Sequence, residues 1–233
     1  MVENPTLHPP HILAVDTSQT SLSLAVARGS ELIASVVDES DLPHSQRLFP
    51  LIEQTLDSLS LSISSIDRFA VNTGPGSFTG LRVGIAALKG VAVTLGKPLL
   101  GLNKMDALTY AMKLPGITVA ILLNAGRDEY YWGNRRLQDD SSLLTIGVDR
   151  LVNAAQIVSE MRSLIGDPAA VFVGNGAAAL WPDFVVNPNW QLAESPVPLV
   201  NIIAQWAATQ SPLEATVEAY YLRQSYAEVK RVK

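Results

Sequence analysis

From Ile12 onward, the chain places its hydrophobic residues in two distinct rhythms. Ile12–Asp16 is a short apolar run closed by Asp16-Thr17-Ser18, and Leu22, Leu24 and Val26 then alternate with Ser21, Ser23 and Ala25. That period of two predicts strands. Arg28-Gly29 reads as a turn into a third strand over Glu31–Val37, so the first three strands form an antiparallel meander. The rhythm then changes. Between Ser45 and Leu59 the apolar positions are 48, 49, 51, 52, 56 and 59, which is a helical stripe. Pro50 either lies near the first turn of that helix or kinks it. Arg68–Asn72 predicts a strand, Ser77–Leu95 a helix stopped by Gly96 and Pro98, and Leu99–Leu102 another strand. Strand–helix–strand connections force parallel pairing beside the meander.

The second half starts the same way. Thr118–Asn124 is apolar, Gly126-Arg127-Asp128 turns, and Glu129–Arg136 returns as a strand. Beyond it we expect a helix over Val152–Ile165, a strand over Ala170–Gly174 and a helix over Asn201–Gln210. Trp181-Pro182 and Pro196-Val197-Pro198 read as loop punctuation. The whole is an α/β chain whose second half is a decayed copy of the first. The expected organisation is a loose tail over 1–10, a first lobe over 11–103 and a smaller second lobe over 104–233.

Composition narrows the function classes. Charged residues are 17% of the 233 positions and hydrophobic ones 48%. A charged share below the usual quarter leaves either a well-filled core or apolar surface for a partner. The net charge of −5 disfavours independent grip on a nucleic-acid backbone, which calls for a basic surplus. There is no cysteine, hence no disulfide and no thiolate chemistry. No 18-residue run is continuously apolar, so no membrane span is expected. The first ten residues lack the apolar core of a signal peptide.

The densest punctuation is Gly74-Pro75-Gly76-Ser77-Phe78-Thr79-Gly80-Leu81-Arg82. A strand enters it and a helix leaves it, so its backbone N–H groups either hold an anion or simply make a tight turn capped by Ser77. The residues that follow are not those of a P-loop, and the glycine spacing is not that of a dinucleotide fingerprint. At 100° per residue, Gly80, Gly84, Ala87, Val91 and Thr94 share one stripe of the helix. Gly80, Gly84 and Gly90 each cost about 1 kcal/mol relative to alanine. The offset is close approach by another backbone, either within the chain or from a partner.

These residues resemble the TsaB family. The nonapeptide from Gly74 to Arg82 carries most of the likeness. Ile12-Leu13-Ala14-Val15-Asp16-Thr17-Ser18, His44-Ser45-Gln46-Arg47-Leu48-Phe49-Pro50 and Tyr221-Leu222-Arg223 follow its order and spacing. The likeness is strong over 11–108 and thin over 137–210. It implies an actin-like, RNase H-like fold of two lobes, each a mixed sheet with flanking helices. It also implies a non-catalytic partner of TsaD, the transferase that attaches a threonylcarbamoyl group to adenosine beside the anticodon of tRNA. TsaE, an ATPase, joins them. ATP and magnesium are then handled by partner proteins, tRNA is met only through the complex, the location is the cytoplasm, and the chain alone forms homodimers through the docking face. That face falls on His44, Leu48, Leu51, Ile52, Thr55, Gly80, Gly84, Ala87 and Val91, and Gly84→Leu is expected to abolish docking while the chain stays folded. Asp16, Thr17 and Ser18 match a first acidic loop and are candidates for vestigial nucleotide contact. The loop expected to carry the second acid reads Asn124 instead.

Two rival classes remain at this point. One is a weak ATP-binding phosphotransferase or peptidase of the same superfamily. Against it, His8, His11 and His44 are the only histidines, and neither a metal site nor a Ser–His–acid arrangement emerges. The other is a direct tRNA binder using Arg127, Arg135 and Arg136 with Tyr130, Tyr131 and Trp132. Its bland counterpart is a solvated hairpin with one packed aromatic face.

Overall fold

The computed structural model describes residues 8–157, 169–184, 187–195, 197–211 and 216–223. Among them are two five-stranded sheets of the same design. In the first, β1 (His11–Asp16), β2 (Leu22–Arg28) and β3 (Glu31–Asp38) form the antiparallel meander. β4 (Arg68–Gly74) and β5 (Leu99–Asn103) are parallel to β1, giving the order β3-β2-β1-β4-β5. Helix α1 (His44–Ser58) connects β3 to β4, and α2 (Phe78–Leu95) connects β4 to β5. Pro50 lies inside α1, and the helix continues through it.

Local chemistry sets these boundaries. The Ser77 hydroxyl accepts the Gly80 amide at 3.2 Å and caps α2, while Gly96 ends it at φ 62°. Leu13 and Val15 of β1 pack with Leu48 and Ile52 of α1 and Ile85 and Leu88 of α2. Ile12 and Ala14 alternate to the opposite face and are equally buried. A strand buried on both faces needs a cover on each. Helix α5 (Leu199–Thr209) provides the second one, against β1 and β2. The Ser35 hydroxyl donates to Asn201 Oδ1 at 2.6 Å, and Arg68 donates to the Ala207 and Gln210 carbonyls at the end of that helix.

This placement corrects the expected domain division. The chain does not split once near residue 103. The compact units are Met1–Lys104 with Pro198–Tyr220, and Met105–Val197 with Tyr221–Lys233. The C-terminal helix therefore belongs to the first unit.

In the second unit, β6 (Thr118–Gly126), β7 (Glu129–Leu137) and β8 (Leu143–Asn153) form a meander. β9 (Ala170–Val173) and β10 (Trp190–Ala193) run parallel to β6, in the order β10-β9-β6-β7-β8. The order and directions repeat those of the first sheet, so the duplicated pattern in the sequence is a duplicated topology. Helices α3 (Lys104–Met112) and α4 (Asn175–Phe184) and a short 3-10 helix over Ile63–Ser65 are also described. Trp132 and Phe172 lie in the core, with Trp181 and Trp190 tilted 5.7 and 5.2 Å from the Phe172 ring; each such burial contributes roughly 1.5–3 kcal/mol. The helix expected over Val152–Ile165 starts at residue 154 rather than 152. β8 runs to Asn153, residues 154–157 are helical, and the remainder lies outside the described residues. So do 1–7 of the expected tail.

Candidate functional site: an apolar groove and a filled strand edge

Helix α2 is 18 residues long with a mean hydropathy of 1.4, which meets the length and composition of a membrane span. Its placement gives that hydropathy another use. Gly80, Leu81, Gly84, Ile85, Leu88 and Ala92 are buried against the chain's own first unit. The opposite face, with Arg82, Ala86, Lys89, Gly90 and Val93, is exposed. Between that face and α1 lies a groove of about 460 Å³, lined by Phe49, Ile63, Ala87, Gly90, Val91 and Leu95 among others. Phe49 is 48% exposed, and Val93, on the helix face beside the groove, is 75% exposed. A Cβ on Gly90 would meet nothing within 4 Å. Exposed Glu53 and Asp57 mark the α1 side, exposed Arg82 and Lys89 the α2 side, and Arg82 stands 3.9 Å over the Phe78 ring.

This arrangement revises the expected docking residues. Leu48, Ile52 and Thr55 are buried in the first unit. A Cβ on Gly80 would run into the Thr17 carbonyl oxygen, and one on Gly84 into the Thr17 hydroxyl. The two glycines admit the chain's own β1 loop, so neither belongs to an outer face, and Gly84→Leu would disrupt the monomer. His44 is half-buried with its Nε2 3.1 Å from the Thr20 carbonyl. Leu51, Ala87 and Val91 are half-buried, and of these Ala87 and Val91 line the groove. Phe49, Ile63 and Leu95, which also line the groove, were not among the expected docking residues, and Gly90 was marked only as a costly helix glycine. The available signal was the pair Arg82 and Lys89, which marks the solvent side of α2, with Ala86, Gly90 and Val93 beside it at helical spacing.

Tyr130, Tyr131 and Trp132 are buried, and so is Arg135. Arg135 donates to both oxygens of Asp149 and to Asp106, all at 2.6 Å. The carboxylates of Asp149 and Asp106 outweigh burial and hold this guanidinium firmly charged. The three aromatic rings of this hairpin are packed inside rather than presented for stacking on bases.

Asp16, Thr17 and Ser18 come together at the carboxyl edge of the first sheet. Asp16 Oδ1 accepts the Ser18 amide at 2.8 Å and the Asn72 side-chain amide at 2.9 Å. Asn72 also donates to the Ser18 hydroxyl at 3.0 Å, and the Thr17 hydroxyl donates to the Gly80 carbonyl at 2.8 Å. The Ser77 amide donates to the Ser18 carbonyl at 2.8 Å, and a Cβ on Gly76 would meet Ser18 at 2.6 Å. The loop after β4 thus lies directly on the loop after β1. In the second unit, Asn124 Oδ1 accepts the Gly126 amide at 2.7 Å. Asp16 Oδ1, Thr17 Oγ1 and the Ser18 hydroxyl are thus each hydrogen-bonded within the first unit. Among the described residues, no three His, Asp or Glu side chains converge as a metal site.

The family model described as TsaD, tRNA N6-adenosine threonylcarbamoyltransferase, matches residues 31–178. The tRNA threonylcarbamoyladenosine biosynthesis protein TsaB of Escherichia coli is 31% identical, over 74% of this chain and 74% of its own length. The chain belongs to the TsaB family. TsaB of Bacillus subtilis is 28% identical over 52% of this chain. A Pseudomonas aeruginosa crystal structure, described as an uncharacterised protein with similarity to peptidase YeaZ, superposes with a TM-score of 0.67. It is 26% identical and covers 92% of this chain and 100% of that one. A Bacteroides thetaiotaomicron protein with the actin-like ATPase fold matches at a TM-score of 0.51 and 10% identity. That last likeness is one of fold, and the two mixed sheets agree with it. This member of the TsaB family therefore has the actin-like fold, with the loop after β4 packed on the loop after β1 and an open apolar groove beside α1 and α2.

Proposed function

We propose that this TsaB chain serves threonylcarbamoyladenosine synthesis in tRNA as a non-catalytic partner, docking a TsaD-type transferase through the α1–α2 groove. The observation that carries this reading is the groove itself. It is apolar, with Phe49 half-exposed at its rim, and the two helices beside it expose opposite charges, Glu53 and Asp57 on α1 and Arg82 and Lys89 on α2. Apolar surface of this kind, framed by charge, is what an interface core and rim look like before association. The same arrangement is self-complementary: the acidic side of one copy meets the basic side of another about a two-fold axis. Homodimers in isolation follow, with the transferase displacing the second copy.

In this role ATP and magnesium belong to the transferase and to a TsaE-type ATPase, and tRNA is met only in the complex. The net charge of −5 and the buried aromatic hairpin support the last point. The location is the cytoplasm, where tRNA is modified.

Gel filtration tests the proposal. Mixed with a TsaD-type transferase, the wild-type chain co-elutes as a heterodimer, while Gly90→Leu, which fills the groove, elutes apart with an unchanged circular dichroism spectrum. Calorimetry with ATP and magnesium addresses the enzyme alternative: tight metal-dependent binding by the chain alone, lost in Asp16→Ala, would favour a phosphotransferase.

A further inference from the structure

Strand β2 is antiparallel to both β1 and β3, and β4 is parallel to β1. The carboxyl ends of β1, β3 and β4, the turn between β1 and β2, and the first turns of α1 and α2 therefore share one edge of the first sheet. On that edge the turn over 17–20 touches both helices. Toward α2 it packs backbone on backbone. The Ser18 carbonyl accepts the Ser77 amide at 2.8 Å and the Thr17 hydroxyl donates to the Gly80 carbonyl at 2.8 Å, while a Cβ on Gly76 or Gly80 would collide with Ser18 or Thr17. Toward α1 the contact is through side chains. Pro43 gives α1 no side-chain cap. The first turn is held instead by the Thr20 carbonyl, which lies 3.1 Å from His44 Nε2 and accepts Arg47 Nη2 at 2.8 Å. Arg47 Nη1 donates to the Asp38 carbonyl at 2.9 Å and lies 3.3 Å from the Asp38 carboxylate. Arg47 is 5% exposed, and its Nε is buried with no hydrogen-bond partner among the described residues. A leucine or methionine would pack there without that cost.

We propose that the turn over 17–20 is a strut that sets the separation of α1 and α2, and that Arg47 is a positioning residue for docking, acting through the Thr20 carbonyl. Arg47 does not line the groove, whereas Phe49, two residues on, does so from α1, and Ala87, Gly90 and Val91 do so from α2. The two walls present one shaped surface only at a fixed spacing. Molecules that hold this spacing before association bind; a variant that holds it less often has its affinity reduced by that fraction. The inference rests on the groove reading given above.

The chain has no cysteine, so Gln46→Cys and Lys89→Cys, at exposed positions of α1 and α2, accept two spin labels. Double electron–electron resonance on the full labelled chain, diluted into unlabelled chain, reads the spacing of the helices. Surface binding of unlabelled variants to a TsaD-type transferase reads docking. Arg47→Met is expected to broaden the distance distribution and to weaken binding about tenfold. Arg135→Met, which destabilises the second unit instead, is expected to leave both readings as in the wild type. The proposal is overturned if Arg47→Met keeps the wild-type distribution, if it binds with wild-type affinity, or if Arg135→Met alters both readings equally. A wild-type chain that fails to bind contradicts the groove reading, and the distance measurement then decides the strut. Should Arg47→Met be obtained only unfolded, His44→Ala, at a half-buried ring, decides by the same readings: a broader distribution with weaker binding supports the strut, and wild-type behaviour overturns it.

Discussion

Thr17 and Gly80 lock the first strand to the second helix: the Thr17 hydroxyl donates to the Gly80 carbonyl at 2.8 Å, while the Thr17 carbonyl lies where a Gly80 side chain would begin. The contact is backbone on backbone, so it has little room to yield. Gly80→Ala is expected to destabilise the chain by roughly 3 kcal/mol, the upper end of overpacking costs. Gly90→Ala faces open space and is expected to gain about 1 kcal/mol. Urea unfolding of the two variants reads both signs in one experiment.

Arg135 is the hub of the second unit's interior. Its bidentate bond to Asp149, both side chains 3% exposed, sits beside the bond to Asp106. Removing one partner of such a group leaves buried charge uncompensated. Arg135→Met is expected to cost roughly 3–5 kcal/mol, measured as a lower urea midpoint at unchanged slope.

Asp38 provides a pH signature. The Ser40 amide and hydroxyl, with the Arg47 guanidinium, hold its carboxyl below the ordinary 3.8. A depressed folded-state value means that the unfolded chain binds the proton more readily. The stabilisation is complete above the ordinary aspartate range and is lost as pH falls through the folded value. Melting temperatures measured down the acid limb are expected to fall less steeply for Asp38→Asn than for the wild type.

The charges flanking the groove act mainly on association rate. Lys89→Glu places an acid opposite a partner surface suited to a base, and is expected to slow association with the transferase about tenfold. Added salt diminishes the difference. Stopped-flow or surface-binding kinetics at two salt concentrations reads it.

The first sheet and its two connecting helices were legible because their patterns are clean. β2 alternates large apolar with small residues, α1 carries a helical stripe, and α2 has a serine cap and a glycine stop. The second half hid its elements for identifiable reasons. β8 contains Gly147 at φ 76°, and its partner strand shifts register between Trp132 and Asn134, so no regular alternation survives over Leu143–Asn153. Helix α4 carries Pro182 near its end, which made Trp181-Pro182 read as a loop. α5 was recognised as a helix but assigned to the wrong sheet, since no periodicity tells which face a helix covers. Small residues on α2 fit close approach either from within the chain or from a partner, and the pattern alone does not choose; Gly80 and Gly84 admit Thr17, and of the three glycines in this helix Gly90 opens outward.

Co-elution of Gly90→Leu with a TsaD-type transferase, beside the wild type and Gly90→Ala, tests the central claim most directly. The groove reading requires that the wild type form the heterodimer and that Gly90→Leu, equally folded by circular dichroism, fail to do so. A Gly90→Leu complex as stable as the wild-type one would place the transferase on some other surface and remove the groove from the account.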